Sequence, residues 1–275
     1  KQQEVSDTPR KTAKQWVDEG NAHYKAKRYE EALEAYKQAA KRDPKMVAAH
    51  IGKGNALSRF ARYHSALKAY ERAIQLKPNS VEAHNGRGRA LMMLDHDEEA
   101  LEEYELAIQL DPHNTATYSN IGQILAILQR DDEAIVAYER AIQLDPTNDF
   151  AYNGKALLLH NHKRYEEARA AYERAIELAP NESKYYCNKG VLFEDTKHYQ
   201  EALAMFDQAI QVDPKDVSAW TGKAEVLNQL ERWEEAEQAY EKAAQLYEEG
   251  YGDDDDDDDY LALLQWSYEF PKKAE

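Results

Sequence analysis

With one cysteine in 275 residues, Cys187, the chain can form no internal disulfide, and a lone thiol suits a reducing compartment, so a cytoplasmic setting is the expectation. Eight prolines and eleven glycines are too few for a strand-and-turn architecture, whereas abundant Ala, Glu, Leu, Tyr, Lys and Gln favour helix almost throughout. Positive charge is in deficit, with 35 Lys and Arg against 52 Asp and Glu. The net charge of -17 repels nucleic-acid backbones and anionic membrane surfaces, so neither is expected as a partner. No apolar run has the length of a membrane span, and the most apolar one, residues 121–128, is broken by Gly122 and Gln123. The sequence starts at Lys1 rather than Met, which leaves room for a leader or an upstream domain.

Catalytic patterns are lacking as well. Of the nine histidines, His50 and His84 fall at packing places, and His160 and His162 sit two apart on one helix and face different ways, so no zinc pattern emerges. Cys187 has no His partner nearby in sequence and reads as a packed thiol. Gly52-Lys53-Gly54 lies inside a helix whose amides are already bonded, so it is no phosphate loop. Neither an enzyme, a metal nor a cofactor is expected.

What the sequence does hold is a repeat. Pro44, Pro78, Pro112, Pro146, Pro180 and Pro214 fall 34 residues apart. In that register, after an N-terminal extension of residues 1–12, seven units fill residues 13–46, 47–80, 81–114, 115–148, 149–182, 183–216 and 217–250. The twentieth position is always alanine, from Ala32 to Ala236. A ring follows four residues later (Tyr36, Tyr70, Tyr104, Tyr138, Tyr172, Phe206, Tyr240), then alanine again, from Ala39 to Ala243. Spacing of i, i+4 and i+7 is one helix face. The first half of each unit carries Trp16, His50, His84, Tyr118, Tyr152, Tyr186 or Trp220. Four residues after it comes Gly20, Gly54, Gly88, Gly122, Ala156, Gly190 or Ala224. A glycine within a helix costs about 0.5–1 kcal/mol relative to alanine, so its recurrence predicts a neighbour in close approach, a large ring beside a missing side chain. A short turn such as Lys27-Arg28-Tyr29 joins two helices, and Asp-Pro or a variant such as Lys77-Pro78 ends the second. Each unit is a helical hairpin.

This order of bulky residue, small residue, Ala, ring, Ala and Pro resembles the tetratricopeptide repeat over residues 13–250, 238 of the 275, and does so seven times in succession. Departures are His50 and His84 in place of Trp or Tyr, Ala156 and Ala224 in place of Gly, and Glu248 where the seventh proline would fall, which predicts a last helix that runs on. The resemblance implies an all-α fold, a right-handed superhelical solenoid of seven helical hairpins plus a C-terminal helix. It also implies a concave groove lined by the first helices, with a protein or peptide as partner.

On those helices the residues expected to face the groove are Val17, Asp18, Asn21 and Tyr24; Ile51, Asn55, Ser58 and Arg59; and Asn85, Arg89 and Met92. Further along they are Asn120 and Gln123; Asn153, Leu157 and His160; Cys187, Asn188 and Glu194; and Thr221, Glu225 and Asn228. Carboxamides dominate, and each can both donate to and accept from the backbone of an extended peptide. They resemble in part the asparagine ladder in the tetratricopeptide regions of protein O-glycosyltransferases, interrupted here by Gly52, Gly86, Gly154 and Gly222. The carboxylate clamp of chaperone-binding relatives is disfavoured, because Val17, Asn21, Gly52, Glu82 and Gly86 supply one of its five residues and Ser119, Gln123, Gly154, Lys184 and Asn188 again one. Lys14, Lys25, Lys53, Arg59, Arg87 and Arg89 come early and Glu194, Asp195 and Glu225 late, so the groove is expected to be polarised unless these charges pair with neighbours.

Beyond the repeats, seven consecutive aspartates lie in an acidic linker, residues 251–259, followed by a mostly apolar segment, residues 260–275. That segment must bury its side chains, either as a helix capping the last hairpin or by docking in a groove of the same or a neighbouring chain. The expected function is a protein–protein interaction scaffold or adaptor that binds an extended peptide or helix. The alternatives are a self-assembling structural protein that associates through residues 251–275, and the regulatory region of a larger enzyme.

Overall fold

The computed structural model describes residues 11–251, and among them it has fourteen α-helices and no strand. The first four hairpins are α1 (Ala13–Lys25) with α2 (Tyr29–Arg42), α3 (Val47–Ser58) with α4 (Tyr63–Leu76), α5 (Val81–Met92) with α6 (Asp97–Leu110), and α7 (Thr115–Ile127) with α8 (Asp131–Leu144). Then come α9 (Asp149–Asn161) with α10 (Tyr165–Leu178), α11 (Ser183–Asp195) with α12 (Tyr199–Val212), and α13 (Val217–Gln229) with α14 (Trp233–Leu246). Helices α1 to α8 form one compact unit and α9 to α14 a second. Within each, every helix packs on the next in order. First helices also touch one another, α1 with α3, α3 with α5, α5 with α7, α9 with α11 and α11 with α13. No second helix meets another to that extent, so the first helices form the inner wall of each unit. The aspartate run and the apolar segment expected to cap or dock lie outside the described residues.

Helix α14 passes through Glu248 into a single π-type turn, Tyr247–Tyr251, and leaves the helical path at Gly250, whose φ is 82°. The missing proline thus has the predicted effect.

The turn inside each hairpin carries strain that the sequence does not advertise. Lys27, Ala61, Asp95, Gln129, Lys163, Lys197 and Glu231, one per hairpin, have φ between 51° and 62°, the left-handed region. In each the left-handed residue donates three residues back and its successor five back, as with Lys27 N–H to Tyr24 O and Arg28 N–H to His23 O, both at 3.0 Å. These bonds satisfy the orphan carbonyls at the end of the first helix, and glycine is the usual residue there. A β-carbon in this conformation costs about 1–2 kcal/mol. Ala61→Gly is therefore expected to raise stability by a net of about 0.5–1 kcal/mol after the glycine's extra unfolded-state entropy. A urea midpoint that falls would show the turn to be unstrained.

In four of the first helices the bulky residue reaches the preceding proline carbonyl. His50 Nε2 reaches the Pro44 carbonyl at 3.0 Å and His84 Nε2 that of Pro78 at 2.9 Å; Tyr186 Oη reaches Pro180 O at 3.1 Å and Trp220 Nε1 reaches Pro214 O at 3.0 Å. An imidazole, phenol or indole each offers a hydrogen at the right reach, which is why histidine stands in for the usual ring.

The core itself is built from the second-helix rings. Tyr70 and Tyr104 have no exposed surface and Phe206 has 1%. A β-carbon added to Gly20 would lie 2.7 Å from the Tyr36 ring, and one on Gly54 2.6 Å from Tyr70. The same rings press as closely on glycines of the following hairpin: Tyr36 on Gly52, Tyr70 on Gly86, and Phe206 on Gly222. Gly52, Gly86 and Gly222 are thus buried seats for the preceding ring, not gaps in an exposed asparagine row.

Candidate functional site

In the first unit the inner wall carries Asn21, Asn55 and Asn85. Tyr36 Oη donates to Asn21 Oδ1 at 2.8 Å and Tyr70 Oη to Asn55 Oδ1 at 2.7 Å, so each carboxamide is fastened to the ring of its own hairpin. Asn85 Nδ2 donates to Thr117 Oγ1 at 2.6 Å and ties α5 to α7. Asn120 and Gln123 on α7 are half-exposed and make no side-chain hydrogen bond among the described residues.

Val17 and Ile51, expected in the groove, are 8% and 4% exposed. They belong to the packed core, Val17 in one cluster with Ala39 of α2 and Ala49 of α3, Ile51 in another that includes Ala83 and Ala90 of α5.

Where α1, α3 and α5 end, a hollow of about 300 Å³ opens, lined by Tyr24, Ser58, Arg59, Arg89, Met92 and Met93 among others. Tyr24 stands edge-on to Tyr29 with centroids 5.2 Å apart, and the Arg59 guanidinium lies 5.0 Å from the Tyr29 centroid. Arg89 sits by the Tyr70 hydroxyl. Burial raises that phenol's pKa, while Ser58 and then Arg89 hold it back. Neither arginine has a carboxylate partner among the described residues. Met93, half exposed, and Tyr63 escaped the sequence reading because they sit at a helix end and a helix start, off the inward stripe. A larger hollow, about 560 Å³, lies among α6, α7 and α8 with Leu101, Tyr118, Ile121 and Val136 in its lining, away from the carboxamides.

Arg87, counted among the early groove cations, is turned aside. Its Nη1 donates to Glu103 Oε1 at 2.7 Å, and the other oxygen of this 7%-exposed carboxylate meets His84 Nδ1, also at 2.7 Å.

In the second unit the wall is more self-engaged. Asn153, expected to face the groove, is 5% exposed because Asn188 Nδ2 donates to its Oδ1 at 2.9 Å across α9 and α11. His160 Nε2 meets Asp195 Oδ2 at 2.8 Å and Tyr185 Oη donates to Asp149 Oδ2 at 2.7 Å, two more ties between the same helices. Cys187 is buried, and burial, with Asp216 beside it, drives its thiol pKa far upward, which leaves it inert as a nucleophile. Leu157 and Asn228 stay half-exposed.

Models of the tetratricopeptide repeat match residues 52–115, 115–148, 148–215 and 187–251, and one described as TPR repeat matches residues 20–59. The chain belongs to the tetratricopeptide-repeat family. Its coarse role follows from that membership: a TPR protein is a scaffold for protein–protein interaction. No curated protein sequence matches this TPR chain. Solved structures do. A tetratricopeptide repeat protein from Parabacteroides merdae is 17% identical, covers 92% of this chain and 97% of that one, and has a TM-score of 0.70. The APC/C hetero-tetramer Cut9-Hcn1 is 17% identical over 80% of this chain and 44% of that one, at 0.74. YrrB, a TPR protein with an unusual peptide-binding site, is 24% identical over 68% and 96%, at 0.51. At these identities the likeness is one of fold. Among the described residues no helix is long and apolar enough to cross a membrane.

Acidity gathers on the inner wall of the second TPR unit. Glu194 is half-buried, and that burial, with Glu225 and Asp195 nearby, raises its carboxyl to about 7. Burial, with Glu225 and Glu194 adding to it, pushes Tyr240 up to about 12. Because the folded chain holds the Glu194 proton more tightly than the unfolded chain does, its stabilising contribution is full below the ordinary carboxylate range and is lost as pH rises through about 7. Glu194→Gln removes that dependence. Discounted for its partial exposure, the gain over the parent is expected to be about 1 kcal/mol near pH 8 and negligible near pH 4. Urea denaturation at both values measures it, and equal gains would place the carboxylate in open solvent.

Proposed function

We propose that the inner wall of first helices holds an extended peptide, or a helix, of a partner protein. One observation carries this reading. Asn21 and Asn55 are fixed through Oδ1 by the tyrosines of their own hairpins, which leaves both Nδ2 groups aimed and unengaged among the described residues, one repeat apart. Donors held in place lose little entropy on meeting a backbone carbonyl, and the carbonyls of an extended chain carry no sequence information. Asn120, Gln123 and Asn228 extend the same chemistry along other first helices. The peptide-binding site of YrrB, a protein of like fold, agrees with it.

Peptide selection from a display library on the full chain tests the proposal. Selected peptides are expected to bind on the order of micromolar. Asn55→Asp with Gln123→Glu, both on the wall of the first unit, should weaken them roughly tenfold or more, whereas Glu98→Lys with Glu102→Lys on a second helix should not. The opposite pattern would move the binding face to the second helices.

A further inference from the structure

The hollow of about 560 Å³ among α6, α7 and α8 lies where the repeat departs from its own pattern. The seventh place of the repeat is basic in five hairpins, at Lys53, Arg87, Lys155, Lys189 and Lys223. Two of these show what the cation does. Lys189 Nζ meets Glu173 at 3.1 Å and Lys223 Nζ meets Asp207 at 2.7 Å, in each case a carboxylate 16 residues earlier, on the preceding hairpin. The Lys223 ammonium also lies 5.5 Å from the centroid of Trp220, the ring three places before it. The fourth hairpin keeps both partners and lacks the cation. Ile121 holds the seventh place, with Glu105 16 residues before it and Tyr118 three before it, and all three line the hollow.

Glu105 makes no hydrogen bond or ion pair among the described residues. Arg130 lies near enough to feel it, but Nε and Nη2 of that guanidinium are both bonded to Glu133 at 2.7 Å. Arg140 donates to Gln143 at 3.2 Å and stands 6.0 Å from the Tyr118 centroid, at the limit of useful attraction. A further carboxylate, Asp132, shares the lining with Val136, which is 64% exposed at a place where the other hairpins have Glu, Lys, Gln or Ala. We propose that this hollow takes a basic side chain of a partner protein, its charge on Glu105 beside the Tyr118 ring, its alkyl stem and an apolar neighbour over Ile121 and Val136. A long basic side chain covers apolar surface with its stem while its head stays with the acid, as Lys223 does in the seventh hairpin. The net charge of -17 draws basic partners toward the chain. A small free amine would leave Ile121 and Val136 uncovered, so the occupant is a polypeptide. The site stands apart from the carboxamides and does not rest on the reading of the first-helix wall.

Displayed random peptides are selected on the full chain, and those that also bind Ile121→Lys are removed, because that substitution returns the repeat's own cation to Glu105. The peptides that remain are expected to carry Lys or Arg next to an aliphatic or aromatic residue. The probe is a synthetic, fluorescent copy of the commonest of them, titrated into the purified chain. Its affinity should fall as salt rises. Glu105→Gln should weaken it at least roughly tenfold, and Glu105→Asp should weaken it less. Glu105 is exposed, five other hairpins have a basic residue at the place of Ile121, and thermal melts verify that each variant folds. No peptide that tells the parent from Ile121→Lys, peptides without a basic residue, or equal affinity for Glu105→Gln overturns the inference. Peptides weakened by Asn55→Asp with Gln123→Glu, yet held equally by Ile121→Lys, belong to the inner wall, so each of the two readings can fail alone.

Discussion

Replacing Tyr70 with alanine is expected to lower the free energy of unfolding by about 3–5 kcal/mol, the range for emptying a fully buried aromatic site. The ring has no exposed surface, rests on Gly54 of its own hairpin and Gly86 of the next, and donates through its hydroxyl to Asn55. Its loss opens a cavity at the joint between two hairpins, where neighbours supply most of each other's stability. Denaturant unfolding reads the effect, and a loss under about 1 kcal/mol would mean that the joint is held elsewhere. Tyr104→Phe should act the other way. The Tyr104 hydroxyl is buried without a hydrogen-bond partner among the described residues, because Arg89 stands where the earlier hairpins have Asn21 and Asn55. Removing it relieves an unmet donor and is expected to add about 1 kcal/mol, as the sixth hairpin already does with Phe206.

The second large effect is expected at Glu103. Its carboxylate joins His84 and Arg87 inside the third hairpin, at a position where five of the other six hairpins have alanine (Ala35, Ala69, Ala137, Ala171 and Ala239) and the sixth has Met205. Glu103→Ala alone restores the common residue but strands an imidazole and a guanidinium, and it is expected to cost about 3 kcal/mol. When His84→Tyr and Arg87→Lys accompany it, the hairpin has the residues of its neighbours and most of that loss should disappear, because the buried charges go together. A double-mutant cycle on the purified chain measures the coupling. Additive costs would show three independent side chains.

The repeat announced the hairpins because its signals are local and recur: small residue, ring and proline at fixed intervals need no knowledge of distant contacts. The wall was less legible. Asn153 and Asn55 hold different places in the 34-residue register: Asn153 shares the place of the buried Val17 and Ile51 and is met by Asn188 from the next first helix, whereas Asn55 shares the place of Asn21 and is held by a tyrosine of its own hairpin. The register separates the two places, but which of them the fold buries depends on contacts between hairpins, which spacing alone does not show. Gly52 and Gly86 misled for the same reason, since what fills the space above a glycine belongs to the preceding hairpin. Glu103 did leave a trace: a carboxylate in a column otherwise of alanines and one methionine marks a buried polar contact.

Each second-helix ring of the early hairpins is clasped by two successive repeats, so changes of length have a natural grain. A chain spliced from residue 46 directly to residue 81 would bring Gly86 over Tyr36 where Gly52 had been, and the seam would close again. A deletion whose length is not a multiple of 34 would lose this register. Duplication and loss of whole 34-residue modules is thus the route by which such an array can grow or shrink while keeping its core, and the reach of its inner wall can change without redesign of the contacts that hold it.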